Sequence, residues 1–105
     1  MANIKTWLEE AVSQYGEPLE AVVVGKHDRR HWDDTTAYPD ENVVLSPDVA
    51  LAKLDQEFDN GFGGADCHPI YAWTKSRVFF VAEYDGSTGL SWLPRNPINI
   101  KPEFS

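Results

Sequence analysis

The sequence contains little of what builds a cross-linked, membrane-spanning or nucleic-acid-binding protein. Cys67 is the only cysteine among 105 residues, so no disulfide can form within the chain. No apolar run approaches the ~18 residues of a membrane-spanning helix. No apolar stretch follows a basic segment near the first residue, so we expect no signal peptide, no membrane partner and a cytoplasmic location. Basic residues are also few, with nine Lys and Arg against 17 Asp and Glu.

The negative charge lies in the middle third of the chain. Residues 33–66 hold nine acids and one base, Lys53, so this segment carries the whole net charge of −8. Such a segment repels nucleic acid and attracts basic protein surfaces or cations. The alternative interpretation is a solvated acidic face that keeps the protein soluble. The acids of the candidate binding surface are Asp33, Asp34, Asp40, Glu41, Asp55, Glu57, Asp59 and Asp66.

Two helices are predicted from local signals. Over residues 4–15, apolar residues recur at the three- and four-residue spacing of one helix face. Asn3 is the expected N-cap, and Gly16 is the expected end of this helix. A second, short helix is predicted from residue 47 to about residue 53, because Ser46 precedes a first-turn proline and an aspartate at the positive end of the helix dipole. An extended tail or one more helical turn is expected to follow it as far as Phe58.

The remaining regular segments are predicted to be strands. A β-branched run over residues 19–25 predicts a strand buried on both faces, and residues 43–45 predict a short one. Three antiparallel strands with tight turns are predicted at 70–74, 77–84 and 88–93. The chain is thus expected to form a single α+β domain over 1–105. An antiparallel sheet of about four to five strands would pack against the N-terminal amphipathic helix, with the second short helix in the middle.

Aromatic residues are concentrated in the C-terminal strands. One sheet face can pack on the N-terminal helix. If no second layer covers the other face, Tyr71, Trp73, Phe79 and Trp32 are expected to be partly exposed. Exposed aromatic side chains anchor many protein interfaces. The alternative is a core on both sides of the sheet, since large aromatics are mostly buried.

Four side chains with metal-ligand chemistry provide an alternative function. His27 and His31 are four residues apart, and Cys67 adjoins His68, so the four form an acceptable zinc ligand set. Their spacing matches no standard zinc motif, and the competing interpretation is two exposed loop histidines with a small buried cysteine. The alternative hypothesis is therefore a small-ligand or metal-binding domain, and no cofactor is assigned.

The sequence does not indicate catalysis. Cys67 and His68 are adjacent, and neighbouring residues of a strand point to opposite sides, so His68 is poorly placed to activate the thiol. The glycine-rich residues 61–64 lack the following Lys-Ser/Thr of a phosphate-binding loop. We therefore expect a non-enzymatic protein.

Three C-terminal stretches resemble known sequences: DCHPxYAWT (66–74), VAEYDGST (81–88) and PRNP (94–97). Over about the last forty residues, the chain resembles small uncharacterised accessory proteins encoded by bacteriophages and prophages. The resemblance implies no catalytic residue. It implies a protein that binds and inhibits a host factor.

The leading hypothesis combines charge and aromatic residues. It is a binding protein, of the phage inhibitor type, whose acidic segment and aromatic sheet engage a basic host protein such as a nucleic-acid-binding or defence factor. No direct nucleic-acid contact is expected. A homodimer formed through a sheet edge or the aromatic face is a third hypothesis.

Overall fold

The N-terminal helix begins and ends at the predicted residues. The computed structural model describes residues 1–27, 40–61 and 66–103. Helix α1 covers Ile4–Tyr15, and the side chain of Asn3 accepts a hydrogen bond from the backbone N–H of Thr6. Gly16 has a φ of 67°, and its N–H donates to the carbonyl of Val12 at 2.9 Å. A left-handed glycine is a common helix end because it lacks the Cβ that would clash there.

Within the described residues, five antiparallel strands form the main sheet, and their order across it is β3-β2-β5-β6-β7. They are β2 (Ala21–Val24), β3 (Val44–Leu45), β5 (Ile70–Trp73), β6 (Arg77–Tyr84) and β7 (Ser87–Pro94). The α+β prediction is therefore confirmed. Asp85 and Gly86 connect β6 to β7 with φ angles of 49° and 82°. Two positive φ angles suit the tight turns that match the twist of a hairpin.

Segments beside the sheet form a smaller layer. Helix α2 (Pro47–Leu54) is one residue longer than predicted, and the Ser46 hydroxyl at its N-cap makes no capping hydrogen bond. A two-stranded ribbon pairs β1 (Ala2–Asn3) with β4 (Glu57–Phe58). Neither helix of the described residues has the length and apolar character needed to cross a membrane.

Both helices pack on the same face of the sheet, which we call the inner face. Leu8 of α1 and Leu54 of α2 join one core cluster with Val22, Val24 and Phe79. Burial of an aliphatic or phenyl side chain of this size contributes roughly 1.5–3 kcal/mol.

Two predictions about burial were wrong. Strand β2 is not buried on both faces: Val22 and Val24 are buried, whereas Ala21 and Val23 are half-buried. The helices cover only the inner face, so burial alternates along the strand. Phe79 is buried rather than exposed, because it lies on that inner face.

Candidate functional site

The end of the β2–β5 pair brings two of the chain's histidines together. The antiparallel register pairs Val24 with Ile70. One residue further on, the N–H of Gly25 donates a hydrogen bond to the carbonyl of Pro69 at 2.8 Å, which extends the pairing of the two segments. His27 follows one strand and His68 precedes the other, so the two rings become neighbours, with centroids 5.2 Å apart.

Both histidines line a small cavity of about 90 Å³. Its apolar wall includes Ile4, Leu54 and Phe58, which also belong to the hydrophobic core. Its polar wall includes His27, Lys53, Asp66, Cys67 and His68. Apolar walls with a few convergent polar groups are typical of small-ligand sites.

Hydrogen bonds hold each histidine ring in place. Nε2 of His27 lies 3.0 Å from Oδ1 of Asp66, and Nδ1 of His68 lies 2.8 Å from the carbonyl oxygen of Gly25. Burial lowers the pKa of His68 because the charged imidazolium is poorly solvated there. Burial therefore favours the neutral form of this ring.

Cys67 is not an activated nucleophile. Burial, together with the negative charges of Asp66 and Glu83, raises the pKa of its thiol to about 11. The thiolate is the reactive form of cysteine, and here both burial and neighbouring charge oppose its formation.

Of the four metal ligands predicted from the sequence, three are among the described residues. His27, Cys67 and His68 do line one cavity. Within residues 1–27, 40–61 and 66–103, however, no three or more His, Cys, Asp or Glu side chains are grouped to hold a metal ion. His31 lies outside the described residues.

The acids of the candidate binding surface are spread over several elements. Asp55, Glu57 and Asp59 are exposed around β4. Glu41 is buried, with only 8% of its surface exposed, so it contributes little to a binding surface. Asp33 and Asp34 lie outside the described residues.

Several of these acids have specific partners. Asp40 lies 3.2 Å from Lys53 Nζ, and Asp66 bonds His27. Asp55 accepts a hydrogen bond from Asn3 at 2.9 Å. Among the described residues, these three acids thus have part of their negative charge balanced or hydrogen-bonded locally.

Apolar side chains form two rows on the outer face, which is the sheet face opposite the helices. The first row crosses all five strands: its apolar members are Val44, Val23, Tyr71 and Phe80, and the polar Ser91 ends it on β7. The second crosses four strands and consists of Ala21, Trp73, Val78 and Leu93.

Large side chains on this outer face remain accessible. Val44 is 71% exposed, Tyr71 58% and Leu93 51%. Trp73 is half-buried, and its ring centroid lies 6.2 Å from that of Tyr71. Both aromatics were predicted from the sequence to be partly exposed, whereas Trp32 lies outside the described residues.

The other apolar side chains of the first row were not predicted to share the outer face. Val44, Val23 and Phe80 enter the first row only through strand pairing. The alternation along β6 separates Phe80 from Phe79 and was a usable signal. No comparable signal was available for Val44, because its strand has only two residues.

The chain matches no protein-family model, and searches of the curated proteins and of the solved structures return no significant match. Function is therefore inferred from the side chains themselves.

Proposed function

We propose that this protein is a non-enzymatic binding protein that docks a basic partner protein on the outer face of its sheet. The observation that carries the proposal is the first row, in which four apolar side chains lie side by side from Val44 to Phe80. Contiguous exposed apolar surface with aromatic members is the usual centre of a protein interface.

The charge of the chain supports a partner of basic character. The net charge is −8, and the exposed acids Asp48, Asp55, Glu57 and Asp59 contribute to it. A field of one sign accelerates encounter with an oppositely charged protein without requiring every charge to touch it. In this proposal the acids steer the partner, and the outer face makes the contact.

Proteins that handle nucleic acid fit this description, since their working surfaces are clustered Lys and Arg. A host nucleic-acid-binding or defence protein is the partner class that we propose. The resemblance to accessory phage proteins supports an inhibitory outcome, in which docking blocks the basic surface.

Two valines provide a matched test of the contact surface. Val44 lies on the outer face and Val49 on α2, and they are 71% and 52% exposed. Captures from host lysate should recover a basic protein with the wild type and with Val49→Lys, but not with Val44→Lys. Tyr71→Ala should weaken the isolated complex about 30-fold, because a central aromatic contributes ~2 kcal/mol. Equal capture by the two lysine variants would contradict the proposal.

Salt and self-association test the charge component and the nature of the partner. Raising the salt concentration should slow association, because steering between unlike charges is screened. An affinity that is insensitive to salt would contradict the proposed role of charge in binding.

Light scattering tests whether the outer face binds a second copy of this chain instead. If it shows a dimer that Val44→Lys dissociates, the basic-partner proposal is wrong.

A further inference from the structure

The tautomer of each cavity histidine is determined by its hydrogen bond. His27 uses Nε2 toward a carboxylate oxygen of Asp66, and His68 uses Nδ1 toward the carbonyl oxygen of Gly25. A carboxylate and a carbonyl oxygen can only accept, so these nitrogens carry the ring protons. In the neutral rings the lone pairs are on Nδ1 of His27 and Nε2 of His68.

Both lone pairs lack a hydrogen-bond partner among the described residues, where each histidine has only the single bond given above. His68 is only 9% exposed, and its ring borders the cavity. Among the described residues, Arg77 Nε is the only buried side-chain nitrogen or oxygen without a hydrogen-bond partner, so these two ring nitrogens are open to solvent and a bound species can reach them.

We propose that the cavity binds one divalent transition-metal ion through Nδ1 of His27 and Nε2 of His68. Histidines that bind metals usually donate their other N–H to a carboxylate or a backbone carbonyl, and here one of each is present. Metal–nitrogen bonds of about 2.1 Å place two imidazole centroids roughly 5 Å apart on a tetrahedral ion. The centroids here are 5.2 Å apart.

Water completes the coordination in this proposal. No third ligating side chain of the described residues joins the two histidines in a larger metal group. The cavity of about 90 Å³ exceeds the roughly 10–15 Å³ that one water requires. Imidazole ligands favour copper, zinc and nickel over magnesium and calcium, and copper(II) should bind more tightly than zinc.

Calorimetric titration of the full chain with ZnCl₂ tests the site. We expect one ion per chain, and loss of at least tenfold in affinity in His27→Ala and in His68→Ala. Asp66→Asn should lose about tenfold, since a partner that orients a ligand is typically worth 10–100-fold. His31→Ala is the matched control, because it removes the third histidine of the chain, and it should bind as the wild type does.

NMR of the imidazole nitrogens tests the assignment even if His68→Ala does not fold. Without metal, long-range ¹H–¹⁵N spectra should show the Nε2–H tautomer for His27 and the Nδ1–H tautomer for His68. Zinc should then shift Nδ1 of His27 and Nε2 of His68. Absence of one-to-one binding, the opposite tautomers, or an equal loss in His31→Ala would overturn the proposal.

Discussion

At the scale of single residues, Cys67 shows how burial determines reactivity. Its thiol lies against the core, and burial with nearby carboxylates raises its pKa to about 11, against an ordinary value of 9.0. Sequence alone places a cysteine beside a histidine, which invites a catalytic interpretation. The structure gives this thiol an environment that opposes the thiolate.

Labelling measures this property directly. At pH 8, Cys67 should react with a disulfide reagent about 100-fold more slowly in the native protein than in urea, because a rise of two pKa units lowers the thiolate fraction by that factor. Colour release at 412 nm follows one equivalent of thiol, since the chain has a single cysteine. Equal rates in buffer and in urea would show an accessible, ordinary thiol.

Glu17 joins the end of α1 to the β5–β6 hairpin. Its carboxylate accepts hydrogen bonds from Ser76 at 2.6 Å and Thr74 at 2.7 Å, and it lies 3.2 Å from Arg77 Nη1. These hydrogen bonds, with a contribution from the Arg77 charge, lower the pKa of Glu17 from 4.5 to about 2. The guanidinium of Arg77 also stacks 4.0 Å from the centre of the Tyr15 ring.

The lowered pKa has a defined consequence for acid stability. The unfolded chain binds a proton at Glu17 near pH 4.5, whereas the folded chain resists protonation until about pH 2. The stabilising contribution is therefore complete above pH 4.5 and is lost as the pH falls toward 2. Glu17→Gln should flatten the decline of Tm in this window, measured by circular dichroism. Glu103→Gln, in the exposed tail, is the control and should leave the decline unchanged.

At the scale of elements, Asn3 connects strand β1, helix α1 and the end of helix α2. It ends β1, caps α1 by accepting from Thr6, and donates to Asp55 just after α2. The sequence predicted the cap, because Asn precedes a periodic apolar face. It did not predict the bond to Asp55, which is 52 residues away.

Removal of this side chain tests its role in stability. Asn3→Ala should lower the free energy of unfolding by about 1–2 kcal/mol, since it removes a cap and a second hydrogen bond. Urea unfolding followed by tryptophan fluorescence measures the change. Asn99→Ala in the exposed tail should stay within about 0.5 kcal/mol of the wild type. Similar losses in the two variants would show that the cap has no particular role.

The strength of local signals determined which elements could be predicted. Helix α1 was predicted because it has an N-cap residue, apolar residues at helical spacing and a terminal glycine. Strand β6 was predicted over its full length. Strands β1 and β4 each have two residues and depend on pairing with each other, so β1 went unpredicted. Short strands lack the alternation that marks longer ones.

At the scale of the whole molecule, the candidate surfaces depended on information that the sequence does not hold. Tyr71 and Trp73 were expected to engage the same partner as the acidic segment. The fold places these aromatics on the outer face, while Glu57 belongs to the ribbon beside α1. The proximity of His27 and His68 likewise results from a strand pairing between distant segments. Net charge and exposed aromatics were predictable, but their relative placement was not.

The burial of α1 against the last strands determines when the chain can fold during synthesis. Leu8 shares its core with Phe79, and Tyr15 receives a hydrogen bond from Trp92, 77 residues later. The ribosome makes the N-terminal part first. The apolar side of α1 therefore leaves the ribosome well before the strands that cover it, and it stays open to chaperones or to aggregation until β6 and β7 emerge.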